Sequence, residues 1–320
     1  MFKEFKLGIF HFIYEVGPQG LELPPFYGST FRGAFGSAFR QIACANQSMK
    51  ACHGCMLEQN CPYAYIFETS SPNNLPGFPN YDDVPRPFVF CPELKGRTHF
   101  AAGELLIVEV RVFGKALSYL PYFVLAFIKM GEKGLGYKRR PVILKEVVNV
   151  NPLNGSSVLV YDASENKMYQ PPKILTGDML FEHVTMQAER VTINLQTPLR
   201  IKENGDLVRS VEFNHIARSL LRRASAIMKV HHDANLDINF SDLAAKSHEV
   251  KRIKDFTKWH DLTRYSQRQG TKMKLGGVIG EVSYQGEISE YLPLLEFGRW
   301  VGLGKSTVFG LGQMDYKVMD

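Results

Sequence analysis

The chain has 320 residues, enough for two domains that each bury a core of their own. Hydrophobic residues make up 45% of the sequence and charged residues 22%, which excludes a disordered, collagenous or coiled-coil protein. The 38 lysines and arginines against 32 aspartates and glutamates give a net charge of +6, too small an excess to indicate a partner by itself.

The sequence lacks the marks of secretion and of membrane insertion. Charged residues interrupt the apolar residues of the first sixteen positions, unlike those of a signal peptide. No run approaches the roughly 18 apolar residues that a membrane-spanning helix needs. Five cysteines in a long chain do not indicate a disulfide framework. We therefore expect a cytoplasmic protein that does not contact a membrane.

The first half of the chain is predicted to alternate strands and helices. Aromatic and β-branched residues predict a strand over 5–16, and Ser29 and Thr30 are candidate caps for an amphipathic helix over 31–43. Residues 44–100 are rich in cysteine, proline and aspartate and predict a loop-dominated insertion. A strand, a helix and a strand are predicted after it, over 105–113, 120–133 and 142–150.

The second half repeats this order of elements. Its predicted strands and helices lie at 191–201, 212–229, on both sides of Gly270, at 277–284, 289–297 and 313–318. The tripeptide Tyr-Leu-Pro occurs at 119–121 and at 291–293, and Gly-Leu-Gly follows each copy. We therefore predict an α+β fold of tandem ferredoxin-like (RRM-like) domains over 1–186 and 187–320, the first enlarged by the cysteine-rich insertion.

Positive charge is concentrated in one segment of the second half. Residues 251–274 carry eight basic side chains against two acidic ones, an excess equal to the net charge of the whole chain. Trp259 and Tyr265 lie among these cations. Cations that neutralise phosphates beside flat rings that stack on bases are typical of nucleic-acid binding. A solvated face with excess lysine is the alternative.

Four of the five cysteines form a compact cluster of pattern C-x7-C-x2-C-x5-C, made of Cys44, Cys52, Cys55 and Cys61. A C-x2-C pair brings two thiolates to one ion from a tight turn, and two flanking cysteines can complete a tetrahedron. The pattern predicts a structural zinc ion, with free thiols as the alternative. Four sulfur ligands would close the coordination sphere, so we assign no catalysis to this metal.

The loop over residues 302–312 contains the string Gly-Leu-Gly-Lys-Ser-Thr, which superficially resembles a phosphate-binding loop of ATPases. That motif requires a glycine where Arg299 stands and a long helix after the loop, so ATP hydrolysis is excluded. Glycines in such a loop can instead let backbone N–H groups approach phosphates directly.

The loop, with its G-h-G-x5-G-h-G pattern (h is apolar), the two ferredoxin-like halves and the basic segment 264–269 (RYSQRQ) together resemble the CRISPR-associated RAMP endoribonucleases. These enzymes process precursor CRISPR RNA. The resemblance covers most of residues 187–320 and is looser over 1–186, where the cysteine cluster resembles a zinc-bearing subgroup. It implies CRISPR repeat RNA as the partner, with other effector subunits as further partners if the product is retained.

The resemblance also implies roles for individual residues. A basic hairpin would contain Arg264, Arg268, Lys272 and Lys274. The loop glycines would be Gly302, Gly304, Gly310 and Gly312, and the phosphate donors beside them Lys305, Ser306 and Thr307. Arg32 and Arg40, about two turns apart on the first helix, could face phosphates, although solvated arginines fit equally well.

The implied chemistry is cleavage without a catalytic metal, in which the ribose 2′-OH attacks the adjacent phosphate and leaves 2′,3′-cyclic phosphate and 5′-OH ends. Family members often place a histidine near the first helix, but residues 29–43 contain none. His53 is the first candidate, with a zinc-ligand or loop role as its alternative. His260, in the basic stretch, and Tyr27, before the first helix, follow.

Two other functions fit the same sequence. One is a non-catalytic RAMP subunit that only holds guide RNA in an effector complex. The other is a zinc-stabilised protein–protein adaptor, for which we expect little RNA affinity even at low salt.

Overall fold

The computed structural model describes residues 1–49, 51–69, 84–94, 96–169, 172–182, 184, 187–266 and 270–319. They form two compact units, one made of the described residues between Phe5 and Thr176, the other of residues 1–4 together with those from Gly177 onward. The sequence placed this boundary later, at residue 186. In the described part of the chain, no helix has the length and apolar character needed to cross a membrane.

The first unit contains three helices and nine strands among its described residues. The helices are α1 Gly28–Ala43, α2 Pro62–Phe67 and α3 Leu120–Lys133. The strands are β1 Lys6–Val16, β2 Leu21–Glu22, β3 Phe88–Phe90, β4 His99–Phe100, β5 Leu105–Phe113, β6 Val142–Val150, β7 Ser157–Asp162, β8 Lys167–Met168 and β9 Leu175–Thr176.

The main sheet of this unit is antiparallel, in the order β3-β5-β1-β6-β7-β8. The elements β1, α1, β3, β5, α3 and β6 form the predicted ferredoxin-like βαββαβ order. One face of β1 is fully buried, and aromatic rings of the two long helices fill the space above it: Phe35 lies 5.0 Å from Phe123 and 5.3 Å from Phe127. Burial of this face fixes the register of the sheet.

Two expectations for this unit need correction. The segment 44–100 is not wholly an insertion, because Phe88–Phe90 within it pairs with β5 and supplies the second strand of the fold. Helix α1 begins at Gly28, so Ser29 and Thr30 lie inside the helix, and Tyr27 precedes it without a side-chain capping bond. Three apolar residues between prolines are too short a run to reveal a strand by periodicity.

The second unit contains four helices and nine strands among its described residues. The helices are α4 Gly177–Phe181, α5 Phe213–His232, α6 Phe240–Lys246 and α7 Leu292–Val301. The strands are β10 Arg190–Leu199, β11 Lys202–Glu203, β12 Asp206–Leu207, β13 Lys251–Asp255, β14 Lys258–His260, β15 Thr263–Ser266, β16 Thr271–Lys274, β17 Gly277–Gln285 and β18 Met314–Met319.

The main sheet of this unit has the order β13-β17-β10-β18, with β14 also paired to β17. The order β10, α5, β13, β17, α7, β18 repeats the ferredoxin-like fold, so the prediction of tandem ferredoxin-like domains is confirmed. Helix α5 begins with a capping box between Glu212 and His215. A separate two-stranded sheet, β15–β16, is inserted between β14 and β17.

Candidate nucleic-acid interface

Residues 302–312, here called the glycine loop, connect α7 to β18. Gly302 ends the helix with φ +77°, a conformation that favours glycine. The N–H of Leu303 donates to the carbonyl of Gly312 at 2.8 Å and closes the loop on itself. The N–H of Lys305 donates to the carbonyl of Arg200 at 2.8 Å, which ties the loop to the end of β10.

Two loop glycines are required by packing, in addition to their predicted role in the approach of a ligand. A Cβ on Gly304 would lie 2.6 Å from the carbonyl oxygen of Arg200, and one on Gly312 would lie 1.8 Å from that of Leu303. Both backbones have positive φ. Glycine at these two positions therefore allows the loop backbone to lie against the carbonyls of Arg200 and Leu303.

The polar residues of the loop differ in exposure. Thr307 is only 5% exposed, so its predicted role as a phosphate donor does not fit this conformation. Lys305 is exposed and Ser306 half-buried. The backbone N–H groups of Gly304 and Ser306 have no acceptor among the described residues. They alternate with the bonded amides of Leu303 and Lys305 and are available to donate to a ligand.

The hairpin β15–β16, here called the basic hairpin, lies against the glycine loop. The guanidinium carbon of Arg264 is 4.6 Å from the centroid of the Phe309 ring, a cation–π contact. Arg264 is opposite Met273 in the hairpin register, whereas Lys272 and Lys274 occupy the alternate positions of β16. Side chains alternate between the faces of a strand, so these two exposed lysines are on the face away from Phe309. The predicted contact residue Arg268 lies outside the described residues.

Arg200 is a site residue that the sequence analysis missed. Its guanidinium donates to the carbonyl of Gly276 at 2.5 Å, at the base of the basic hairpin, while its own carbonyl accepts from Lys305. One residue thus links β10, the hairpin and the glycine loop. A single arginine directly after an apolar strand is too common for sequence reasoning to select it.

No described carboxylate neutralises the positive charge of the two arginines of this surface. Burial lowers the pKa of Arg200 and likewise that of Arg264. Neither has a carboxylate within 4.0 Å in the described residues, and the buried Nε of Arg264 has no acceptor there. A partly desolvated cation without a counterion is costly, so this surface favours an anionic ligand.

Trp259 and His260 lie on β14, next to the base of the hairpin. The guanidinium of Arg209 stacks 4.4 Å from the Trp259 ring, and the indole N–H donates to Asp261 at 2.9 Å. One face of the predicted stacking ring is therefore covered by a cation. His260 is half-buried and pairs with Gly277 in the sheet.

The other two catalytic candidates lie in the first unit. Tyr27 is 9% exposed and packs edge-on against Phe31 at 5.3 Å. Burial, followed by the charge of Glu93, raises the pKa of its hydroxyl, which does not favour a general base. The side chain of His53 is 99% exposed, with Glu58 at 3.9 Å. Nothing in this conformation orients its imidazole.

Arg32 and Arg40 contact α2 of their own unit. The guanidinium of Arg32 lies 5.4 Å from the ring of Phe67, and that of Arg40 lies 5.8 Å from the ring of Tyr63. Arg40 also donates to the carbonyl of Met49. These contacts fix the segment after α1, so both arginines have a structural role in this unit beside the predicted RNA contact.

The four clustered cysteines are half-buried, reduced thiols. Burial, followed by the charges of Glu68, Cys61 and Cys44, raises the pKa of Cys52 to about 11. Across the described residues, no group of three or more His, Cys, Asp or Glu side chains is positioned to hold a metal ion. In this conformation the four thiols therefore do not form a closed tetrahedron.

Two family models match the chain. The AF_1859_N model of an N-terminal domain matches residues 5–173, more than half of the chain. The model of the CRISPR-associated endoribonuclease Cas6 matches residues 193–314, which include the glycine loop and the basic hairpin. An uncharacterized protein of Archaeoglobus fulgidus is 26% identical over 293 residues, 91% of each chain.

Solved structures share the fold at low sequence identity. A Cas6 product complex has a TM-score of 0.56 and 14% identity, over 97% of this chain and 100% of that one. Thermus thermophilus Cas6 has a TM-score of 0.53 and 14% identity, over 98% and 99%. A partial Cas6-RT-Cas1–Cas2 complex has a TM-score of 0.55 and 12% identity, over 98% of this chain and 46% of that one. The chain therefore belongs to the AF_1859_N family, and its residues 193–314 match the model of the CRISPR-associated endoribonuclease Cas6.

Proposed function

We propose that this protein binds the repeat of precursor CRISPR RNA and cleaves it to give guide RNA. One observation carries the proposal: Arg200 and Arg264 are partly buried, have no carboxylate partner among the described residues and adjoin the glycine loop. The Cas6 model covers the segment that contains both. A phosphate group would supply the negative charge that this surface lacks.

In the proposed reaction, the ribose 2′-OH gives up its proton and its oxygen attacks the adjacent phosphorus. The bond from phosphorus to the 5′-oxygen breaks, and that oxygen accepts a proton. The products are a 2′,3′-cyclic phosphate and a 5′-OH end. Arg200, Arg264 and Lys305 would stabilise the charge that develops on the phosphate, and no catalytic metal takes part.

A group that moves protons is also needed, and we assign this role to His260 ahead of His53. His260 is half-buried on β14, the strand that leads into the basic hairpin. His53 is almost fully exposed, and its only ionic neighbour among the described residues, Glu58, is 3.9 Å away. Proton transfer by a positioned side chain contributes about 10²–10⁴-fold to a rate, and the positioning is what His53 lacks.

The test is incubation of the protein with a labelled repeat RNA in EDTA, followed by analysis of the RNA ends. We expect a single cut, with a cyclic phosphate upstream and a 5′-OH downstream. A scrambled RNA of equal length is the control. A cut that requires added magnesium would overturn the metal-independent chemistry.

Binding without any cut would favour the non-catalytic RAMP subunit, which holds guide RNA in an effector complex. The absence of a histidine from residues 29–43, where family members often place one, is the observation that favours this second function. Retention of the product is a separate part of the proposal. If the product is retained, cleaved repeat RNA should copurify with the protein. Other CRISPR subunits that bind this RNA should then copurify as well.

A further inference from the structure

The first unit contains a second, shorter glycine loop built like the one after α7. Helices α3 and α7 both follow a tyrosine, carry proline in the first turn and end at a glycine, with φ +84° at Gly134 and +77° at Gly302. In the shorter loop, the N–H of Leu135 donates to the carbonyl of Arg140 at 2.8 Å, as Leu303 does to Gly312. We call residues 134–140 the N-terminal glycine turn.

Each of the two loops also packs closely against a backbone carbonyl of its own unit. A Cβ on Gly136 would lie 2.3 Å from the carbonyl oxygen of Glu22, and one on Gly304 would lie 2.6 Å from that of Arg200. Both carbonyls follow the first strand of their unit, that of Glu22 within β2 and that of Arg200 directly after β10. The close approach holds each loop on its own sheet.

The N-terminal glycine turn presents an aromatic ring to solvent. Tyr137 is 96% exposed, the highest exposure of the large apolar or aromatic side chains described. The turn beneath it is closed by two hydrogen bonds between Leu135 and Arg140, of 2.8 and 2.9 Å. Tyr137 thus extends into solvent from a hydrogen-bonded turn, and its ring does not contribute to packing.

Basic residues lie next to Tyr137 in the chain. Lys138, Arg139 and Arg140 follow it directly, and burial together with the charges of Lys129 and Arg139 lowers the pKa of Lys133. Glu22 pairs with Lys138 at 3.1 Å, but no carboxylate in the described residues lies within 4.0 Å of Arg139. Arg139 also has φ +48°, an uncommon backbone for a residue other than glycine.

We propose that the N-terminal glycine turn is a second RNA contact, in which Tyr137 stacks on an unpaired base and Arg139 binds a phosphate. The proposal rests on the RNA binding proposed above and adds a site in the first unit. An exposed ring beside cations suits single-stranded RNA, because every base offers a face for stacking and every nucleotide a phosphate.

The test measures the affinity for a repeat RNA with unpaired flanks, across a series of salt concentrations. Tyr137→Ala should weaken binding at least about fivefold, the lower end for loss of one stacked base, and Tyr137→Phe should not. Arg139→Asn keeps a residue that tolerates positive φ and should lower the salt slope by about 0.7. The matched control is the double variant K167A/Y169A. It removes a tyrosine and a neighbouring cation from a different part of the same unit.

The outcomes separate the two proposals. If wild type binds and both turn variants bind equally well, the second contact is overturned and the proposed function stands. If wild type binds no repeat RNA, the proposed function fails, and this contact fails with it. Unchanged RNA affinity with loss of a copurifying protein would also overturn it, in favour of a protein contact. Since Tyr137 packs on nothing, unchanged thermal unfolding should accompany any loss of affinity.

Discussion

The guanidinium of Arg264 lies over the ring of Phe309, with 4.6 Å between the guanidinium carbon and the ring centroid. This contact joins the basic hairpin to the glycine loop, two segments that are about forty residues apart in the chain. The ring holds the cation at the loop without neutralising its charge. The hairpin and the loop therefore present one positive surface.

Removing either partner of this contact should weaken RNA binding. We expect Arg264→Ala to lower the affinity for repeat RNA by about 10-fold or more and to reduce the salt slope by about 0.7, because a phosphate contact is lost. Phe309→Leu should lower the affinity less, since the cation stays but loses its support. A double-mutant cycle measured by filter binding checks the coupling, and strictly additive effects would refute it.

The packing role of Gly312 can be tested on stability. Its φ is +70°, and an added Cβ would lie 1.8 Å from the carbonyl oxygen of Leu303. We expect Gly312→Ala to lower the free energy of unfolding by about 3 kcal/mol or more. Gly205 is the control, because it also has positive φ (+95°) but has no described atom within 4 Å of the added Cβ. Gly205→Ala should cost about 1 kcal/mol. Equal losses would contradict the packing role.

The carboxylate of Glu109 should make the stability of the first unit depend on pH. Glu109 accepts from Arg111 at 2.8 Å and lies 3.4 Å from the His11 imidazole. Burial raises the pKa of Glu109, but the bond to His11 and the charge and bond of Arg111 outweigh it and hold the pKa at about 2. The unfolded pKa is about 4.3, so the stabilisation is present above it and is lost as pH falls towards 2.

Glu109→Gln should therefore lower the free energy of unfolding by about 3 kcal/mol at pH 7. The difference from wild type should shrink steadily below about pH 4. Chemical denaturation at several pH values measures it. Glu15→Gln is the control, because its pair with Lys145 is well exposed and should contribute less than about 1 kcal/mol. A difference that does not change with pH would argue against the ionic role of Glu109.

Much of the fold could be predicted because long elements carry strong periodicity. Strands such as β5 and helices such as α5 bury one face, and that alternation is visible in the sequence. β3 could not be predicted, since three residues contain no period and its pairing with β5 is long-range. The start of α1 was missed because Tyr27 precedes it without a capping side chain.

The site was predictable only in part. The glycine loop and the basic hairpin were predicted from a motif, a charge count and the resemblance to RAMP endoribonucleases, and the structure brings Arg264 to the loop. Arg200 was missed because its role depends on two backbone contacts made after folding. Composition also could not show that Gly304 and Gly312 are needed for packing, or that Thr307 is buried, since these follow from the path of the chain.

Cleavage kinetics can show which of the two histidines, His260 or His53, is catalytic. We expect His260→Ala to lower the cleavage rate about 10²-fold or more with little change in affinity, because a proton-transfer group is lost. His53→Ala should cut at close to the wild-type rate. Single-turnover assays with saturating protein separate rate from binding. The opposite ranking would restore His53 as the catalytic residue.

The cysteine cluster predicts a metal that can be measured directly. The spacing of Cys44, Cys52, Cys55 and Cys61 predicts one structural zinc ion per chain. Protein purified under reducing conditions should contain stoichiometric zinc by elemental analysis, and Cys55→Ser should lose it and unfold at a lower temperature. Cys91→Ser is the control, because burial raises the pKa of that thiol to about 12 and it lies outside the cluster. Wild-type protein that folds and binds RNA without zinc would show that the four thiols are not a metal site.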